Sequence, residues 1–151
     1  MGSFDLFVAS LRCPHCDAVA RAEIQTKLRG DASDQSMFAV GDHFTYDLAD
    51  AADWGYLVVQ PPAQPVHFGQ MWECAVCKHY PSWAEVVIDD DRIASIDAIA
   101  LDAAALARLH FLDEDAAPFI ADAVAVEAAD AWDELIPLLR AWLAADPKRA
   151  L

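Results

Sequence analysis

Basic residues are scarce in this chain of 151 residues. Ten Lys and Arg stand against 25 Asp and Glu, a formal net charge of −15. Phosphate backbones are held by clustered Lys and Arg, so nucleic acid is not the expected partner. The deficit deepens along the chain: 10 acids and 5 bases before Glu85, 15 acids and 5 bases from Glu85 onward. Such a field attracts basic partners and favours solubility. Long apolar runs are also missing. Although 56% of the residues are hydrophobic, no uniform run approaches the ~20 residues of a membrane span. The first residues lack a basic region followed by an apolar core and a cleavage site, so a cytoplasmic location is the expectation. No GxxxxGK[ST], GxGxxG or GxSxG motif occurs, which removes the usual nucleotide and nucleophile-elbow signatures. The five histidines form no HxxxH or HxH pair for a catalytic metal. Ser10, Ser82 and Ser95 have no catalytic context.

The cysteines organise what is present. All four fall in two CxxC pairs, Cys13-Pro14-His15-Cys16 and Cys74-Ala75-Val76-Cys77, with the 57 residues Asp17–Glu73 between them. Two residues between cysteines let one turn present both sulfurs to one ion, and backbone N–H groups of that turn can bond the sulfurs. Two such turns close a tetrahedron with no open position, the arrangement of a structural zinc site. Cys13, Cys16, Cys74 and Cys77 are therefore the expected ligands of one structural Zn²⁺ per chain. The ion would tie Leu11–Val19 to Trp72–Tyr80, and its binding would become folding energy, ~10–16 kcal/mol apparent in small zinc modules. His79 follows Cys77 closely and is expected at the surface or behind the ligands, with His15 facing solvent. Asp89, Asp90 and Asp91 lack the glycine and downstream Glu of an EF-hand and read as a solvated turn.

The flanking segments alternate like strands. Phe4–Leu11 is rich in strand formers. Ala20–Leu28 alternates apolar or small with polar residues, apart from Thr26, as a half-buried strand does. Short strands are expected at Met37–Val40 and Phe44–Leu48, a loop or single helical turn at Asp47–Asp53, and a strand at Gly55–Gln60. Val66–Glu73 runs as a strand into the second pair. Trp83–Ile88 and Arg92–Leu101 read as a hairpin. At Asp102 the pattern changes. Asp102 is an N-cap candidate for a helix, and further helices are expected over Pro118–Ala129 and Asp130–Asp146. In the first of these, Phe119, Ala123 and Val126, with Ile120, share one face. In the second, Trp132, Leu135, Leu139 and Trp142 form a buried stripe, and Pro137 marks a kink or a start. The fold class is α+β: residues 1–101 form an antiparallel, β-rich zinc-binding portion, and residues 102–151 form a helical segment packed on it as one compact domain.

The two pairs and their flanking strands resemble the broad zinc-ribbon class, with the long spacer as an inserted β-unit. Where ribbons commonly carry Gly after the second cysteine, Asp17 and Lys78 stand here. The first pair is also similar to the CPHC motif of DsbA-type thiol oxidoreductases. That resemblance implies a redox role for Cys13 and Cys16, with a helix opening at the first cysteine. The strand-like alternation after Cys16 points away from it. Trp54, Tyr56, Phe68, Trp72, Tyr80 and Trp83 gather around the middle strands and the second pair, as core or as a partner surface. The composition, rich in Ala and Asp with Arg over Lys, fits a bacterium with GC-rich DNA. It is similar to that of small acidic immunity proteins that mask basic toxins. The function expected is therefore a non-enzymatic, zinc-stabilised interaction protein with a basic protein partner. A nucleic-acid-associated ribbon and a thiol-disulfide oxidoreductase are the alternatives.

Overall fold

The computed structural model describes residues 4–30 and 34–151, and of Trp54 the backbone alone. Its first sheet grows from the segments flanking the first cysteine pair. β1 (Asp5–Arg12) and β2 (Val19–Thr26) form an antiparallel hairpin, in register from Asp5↔Thr26 to Arg12↔Val19. The alternation of β2 is realised: Ala22, Ile24 and Thr26 are buried, whereas Arg21, Glu23 and Gln25 are exposed. Thr26 departs from the apolar pattern yet is buried, because its hydroxyl meets the buried Tyr56 hydroxyl at 2.9 Å. A buried hydroxyl with a partner costs little. β3 (Met37–Phe38) adds to β1 in parallel. Asp5, fully buried at the start of β1, receives two N–H bonds from Arg29 at 2.7 Å. That bidentate pair anchors the segment leaving β2.

The strand expected at Phe44–Leu48 does not form. Phe44 instead drops into the core, against the Phe7 ring at 5.0 Å and the Phe38 ring at 4.8 Å. Burial of the ring outweighs strand pairing there. The Asp47 side chain then accepts from the Ala49 N–H at 2.9 Å and starts a helical turn, α1 (Leu48–Asp50), which continues as a wider π-helical turn over Ala51–Gly55.

The second sheet holds β4 (Tyr56–Val58), β5 (Val66–Trp72), β6 (Ser82–Asp89), β7 (Arg92–Ile99) and β8 (Phe111–Asp113), in the order β4-β8-β5-β6-β7. β5, β6 and β7 form an antiparallel meander. β8 runs antiparallel to β4 and parallel to β5. Both sheets are therefore mixed, with one parallel pairing each, where antiparallel pairing alone was expected. The C-terminal segment is helical as expected, with β8 as an addition. Its helices are α2 (Ala103–Arg108), α3 (Ala117–Ala123), α4 (Ala128–Ala131) and α5 (Leu135–Ala145). Asp102 caps α2 by accepting from the Ala105 N–H at 2.9 Å. Pro137 falls in the first turn of α5, where a missing N–H costs nothing. Leu135, Leu139 and Leu143 bury the stripe of that helix, while Trp132 stays exposed. The face of α3 differs from the expected one. Ala117, Ile120 and Ala121 are buried, and Phe119 and Val126 are exposed.

The five-stranded sheet carries a core on each face. Toward the first sheet, Phe68, Trp72, Val86 and Ile88 pack with Phe7, Ile24 and Phe44. Toward the helices, Met71, Trp83 and Leu112 pack with Leu106, Ile120 and Leu139. Double coverage explains why β5 and β6 are buried almost continuously. Gly69 on β5 sits where the helix side presses closest. A Cβ there would lie 2.8 Å from Leu112 Cδ1 and 2.9 Å from Leu109 Cδ1. Gly69→Ala should therefore destabilise the fold by about 1–3 kcal/mol, the usual cost of overpacking. Urea unfolding should show a lower midpoint with an unchanged slope; a parental midpoint would mean the two leucines move aside freely.

Candidate metal centre

Each cysteine pair is the turn of a hairpin. Cys13–Cys16 follow β1 and precede β2; Cys74–Cys77 follow β5 and precede β6. The two turns repeat one local geometry. In the first, the Cys13 N–H donates to the Ala18 carbonyl at 2.9 Å and the Asp17 N–H to the Cys13 carbonyl at 2.9 Å. In the second, the Cys74 N–H donates to the His79 carbonyl at 3.2 Å and the Lys78 N–H to the Cys74 carbonyl at 3.0 Å. Asp17 and Lys78 both take the left-handed conformation, with φ of 63°. Glycine adopts that conformation at no steric cost, and here Asp17 and Lys78 adopt it in its place. Backbone amides also point at sulfur: His15 N–H to Cys13 Sγ at 3.4 Å and Val76 N–H to Cys74 Sγ at 3.3 Å.

The two turns meet. All four sulfurs lie within 4.8 Å of one another, and this set can hold one metal ion. The cross-turn distances Cys13–Cys77 and Cys16–Cys74 are both 3.7 Å. A disulfide needs about 2.05 Å, and all four cysteines are free. A thiolate site for zinc has bonds of about 2.3 Å, and the edges of that tetrahedron are about 3.8 Å. The spacing thus fits a four-thiolate ion and does not fit a disulfide. Cys13 and Cys74 are buried, and Cys16 and Cys77 reach the surface. The thiols respond to one another. The Cys77 and Val76 amides lead in holding Cys74 down at about 6, against the opposing effect of burial. For Cys77 the largest effect, an amide bond from His79, is downward, but burial and the neighbouring Cys13, Cys16 and Cys74 outweigh it and push the thiol up to about 11. Four thiolates in contact need a cation to ionise together.

The other residues singled out by sequence take lesser places. His15 and His79 are both exposed, and their rings stack across the two turns with centroids 3.4 Å apart. Neither belongs to the ligand set. Asp90 and Asp91 form an exposed turn with positive φ. Of the aromatic group, Tyr56, Phe68, Trp72 and Trp83 are buried, and Tyr80 is exposed; the Trp54 side chain lies outside the described residues. Among the described residues no other group of three or more His, Cys, Asp or Glu side chains gathers like the four thiols.

One polar cluster has no counterpart in the sequence reading. Glu85, only 8% exposed in the centre of the second sheet, receives Arg108 Nε at 2.8 Å and lies 2.5 Å from His67 Nδ1. The His67 N–H donates to His110 Nδ1 at 3.0 Å. Burial, and then His67, hold the His110 imidazole below its ordinary range. They come from three separate stretches, His67, Glu85, and Arg108 with His110, and only the pairing of β5 with β6 and the docking of the segment at the end of α2 assemble them. The arrangement neutralises a buried carboxylate, as a buried charge requires. No helix is long and apolar enough to cross a membrane among the described residues.

No family model matches the chain, and no curated protein or solved structure matches it either. The chemistry of the site is therefore carried by its own residues. Cys13→Ser or Cys74→Ser removes a buried thiol from the set and, with an ion bound there, should cost several kcal/mol, a part of the ~10–16 kcal/mol of small zinc modules. Loss of near-UV circular dichroism and of a cooperative melt is the expected outcome. A variant that melts like the parent would contradict a clamp.

Proposed function

We propose that this is a metal-clamped binding protein, with one structural zinc per chain held by Cys13, Cys16, Cys74 and Cys77, and with an acidic surface that takes a basic protein partner. The single observation that supports it is the closed set of four sulfurs at tetrahedral spacing. Four protein ligands leave no position for water or substrate, which is the signature of a structural rather than a catalytic ion. Thiolates favour soft or borderline ions over magnesium or calcium. Reduced cysteines at such a site suit a reducing compartment, which favours the cytoplasm on this reading. Residues 1–101 and 102–151 act as one unit on this reading, because β8 of the second lies inside the sheet of the first.

The net charge of −15 supplies the partner's chemistry. A charge of that size speeds encounter with a basic protein and disfavours a phosphate backbone. The redox reading of Cys13 and Cys16 has a specific observation against it. A reactive CPHC cysteine sits at an accessible helix N-terminus, whereas Cys13 is buried and its turn leads into β2. On the proposed reading, the metal-loaded protein used as bait should retain a basic protein at low salt and release it at high salt. Recovery of no protein at any salt, or a steep salt-dependent shift of DNA or RNA, would overturn it.

A further inference from the structure

The surface beside the clamp has two recesses separated by one aromatic ridge. On one side is a cavity of about 680 Å³ next to the first cysteine turn, its walls largely apolar. Pro14, Pro81, Trp83, Ile99 and Phe119 form much of that wall. The volume lies in the range of ordinary ligand sites. Ser82, 1% exposed, is also in the wall, and its hydroxyl has no hydrogen-bond partner among the described residues. On the other side is a groove of about 410 Å³ bounded by Met71, Trp72 and Tyr80 and by the carboxylates of Glu23, Glu73, Asp113 and Asp115. No Lys or Arg lines this groove. The ridge between them is Tyr80 against Phe119, edge to face, with centroids 6.1 Å apart. Tyr80 is 48% exposed and Phe119 36%. Large aromatic rings left in water beside a recess mark an interaction surface.

The two recesses differ in chemistry, so one occupant has to satisfy both. The cavity takes an apolar side chain. The groove takes a cation, since aromatic faces and carboxylates both attract one. Of its four carboxylates, Glu23 meets Arg21 at 3.4 Å and Asp113 feels Lys27, and neither cation lines the groove, so the lining itself stays acidic. Burial, outweighing the Asp115 amide bond and helped by Asp115 and Glu114, pushes Asp113 up to about 7. Burial and then Asp115, Asp113 and Glu73 raise the Tyr80 phenol. Phe119 lines the cavity and Tyr80 the groove, with ring centroids 6.1 Å apart; side chains on one face of an extended segment repeat every ~6.8 Å.

We propose that the Tyr80–Phe119 ridge is the docking surface for an extended partner segment that places an apolar side chain in the cavity beside Trp83 and an arginine or lysine, two residues away, in the acidic groove beside Trp72. This rests on the binding-protein reading above and names the partner's local chemistry. The anchor supplies desolvated area, and the basic residue supplies charge complementarity and register.

The probe is an end-capped peptide of arginine, alanine, tryptophan, alanine and arginine, titrated into metal-loaded, nitrogen-15-labelled protein. Amide shifts should concentrate at Tyr80, Trp83, Asp115 and Phe119. Replacing the tryptophan by alanine, or both arginines by glutamate, should each weaken binding about tenfold or more. Ala123→Trp, which fills the cavity from its helical wall, and Asp115→Lys, which reverses a groove charge, should each do the same. The dispersed spectrum of each variant verifies its fold in the same titration. No binding by the folded, metal-loaded protein, shifts at another face, or equal binding of all three peptides would overturn the assignment. Such a result leaves the clamp standing, because metal content and fold are read in the same sample, and a basic partner retained through another face would still fit the broader reading.

Discussion

The contact between two hairpin turns at one end of the molecule is the constraint on which the rest depends. Sulfurs of Cys13 and Cys77, and of Cys16 and Cys74, stand 3.7 Å apart across the turns. The β1–β2 hairpin and the β5–β6 hairpin belong to different sheets, and their tips meet through the sulfurs and the His15 and His79 rings. Between the sheets, Phe7, Ile24, Phe68 and Trp72 fill one core. An ion held by the four sulfurs would close a 57-residue excursion, at a loop-closure entropy that grows only slowly with length. The excursion itself is free to be irregular, which is where the short β3, the buried Phe44 and the helical turns after Asp47 are found.

Behind the clamp, the five-stranded sheet works as a wall with two wet-excluding faces. Buried carboxylates on the two sheets have assembled partners. Glu85 has Arg108 and His67, and Asp5 on the neighbouring sheet has Arg29. Gly69 is small because β8 and the leucines before it close on that point. Helices α2 to α5 cover the second face with aliphatic side chains and leave Phe119 outward, beside the clamp. The acidic excess therefore lies on a frame held by two cores. Charge repulsion of this size works against compactness, and a metal clamp is one way to offset it.

Much of this was legible in the sequence, and the parts that were not share a cause. The two cysteine turns, the alternating β2, the β6–β7 hairpin and the Asp102 cap depend on residues within a few positions of each other. Local chemistry decides them. β8 was hidden because Phe111-Leu112-Asp113 is short and sits among helix formers, and a three-residue strand exists only by pairing. Strand propensity favours a strand at Phe44, but its ring is buried in the core instead. On α3, helical spacing groups Phe119 with Ala123 and Val126, whereas the smaller Ala117 and Ala121 and the aliphatic Ile120 are the buried residues. The Glu85 cluster was invisible because its members come from β5, β6, the end of α2 and the start of β8. The four ligand candidates were legible because spacing alone prescribes them. The surface beside them was not, since a recess is a property of packing.

The central claim is that four thiolates and one zinc ion hold the two turns. Metal analysis joined to X-ray absorption at the zinc edge, on the purified, unoxidised protein, tests it most directly. The account predicts one zinc per chain with four sulfur neighbours at about 2.3 Å. A protein that folds with no metal, with disulfides between these cysteines, or with nitrogen and oxygen in the coordination shell would contradict it.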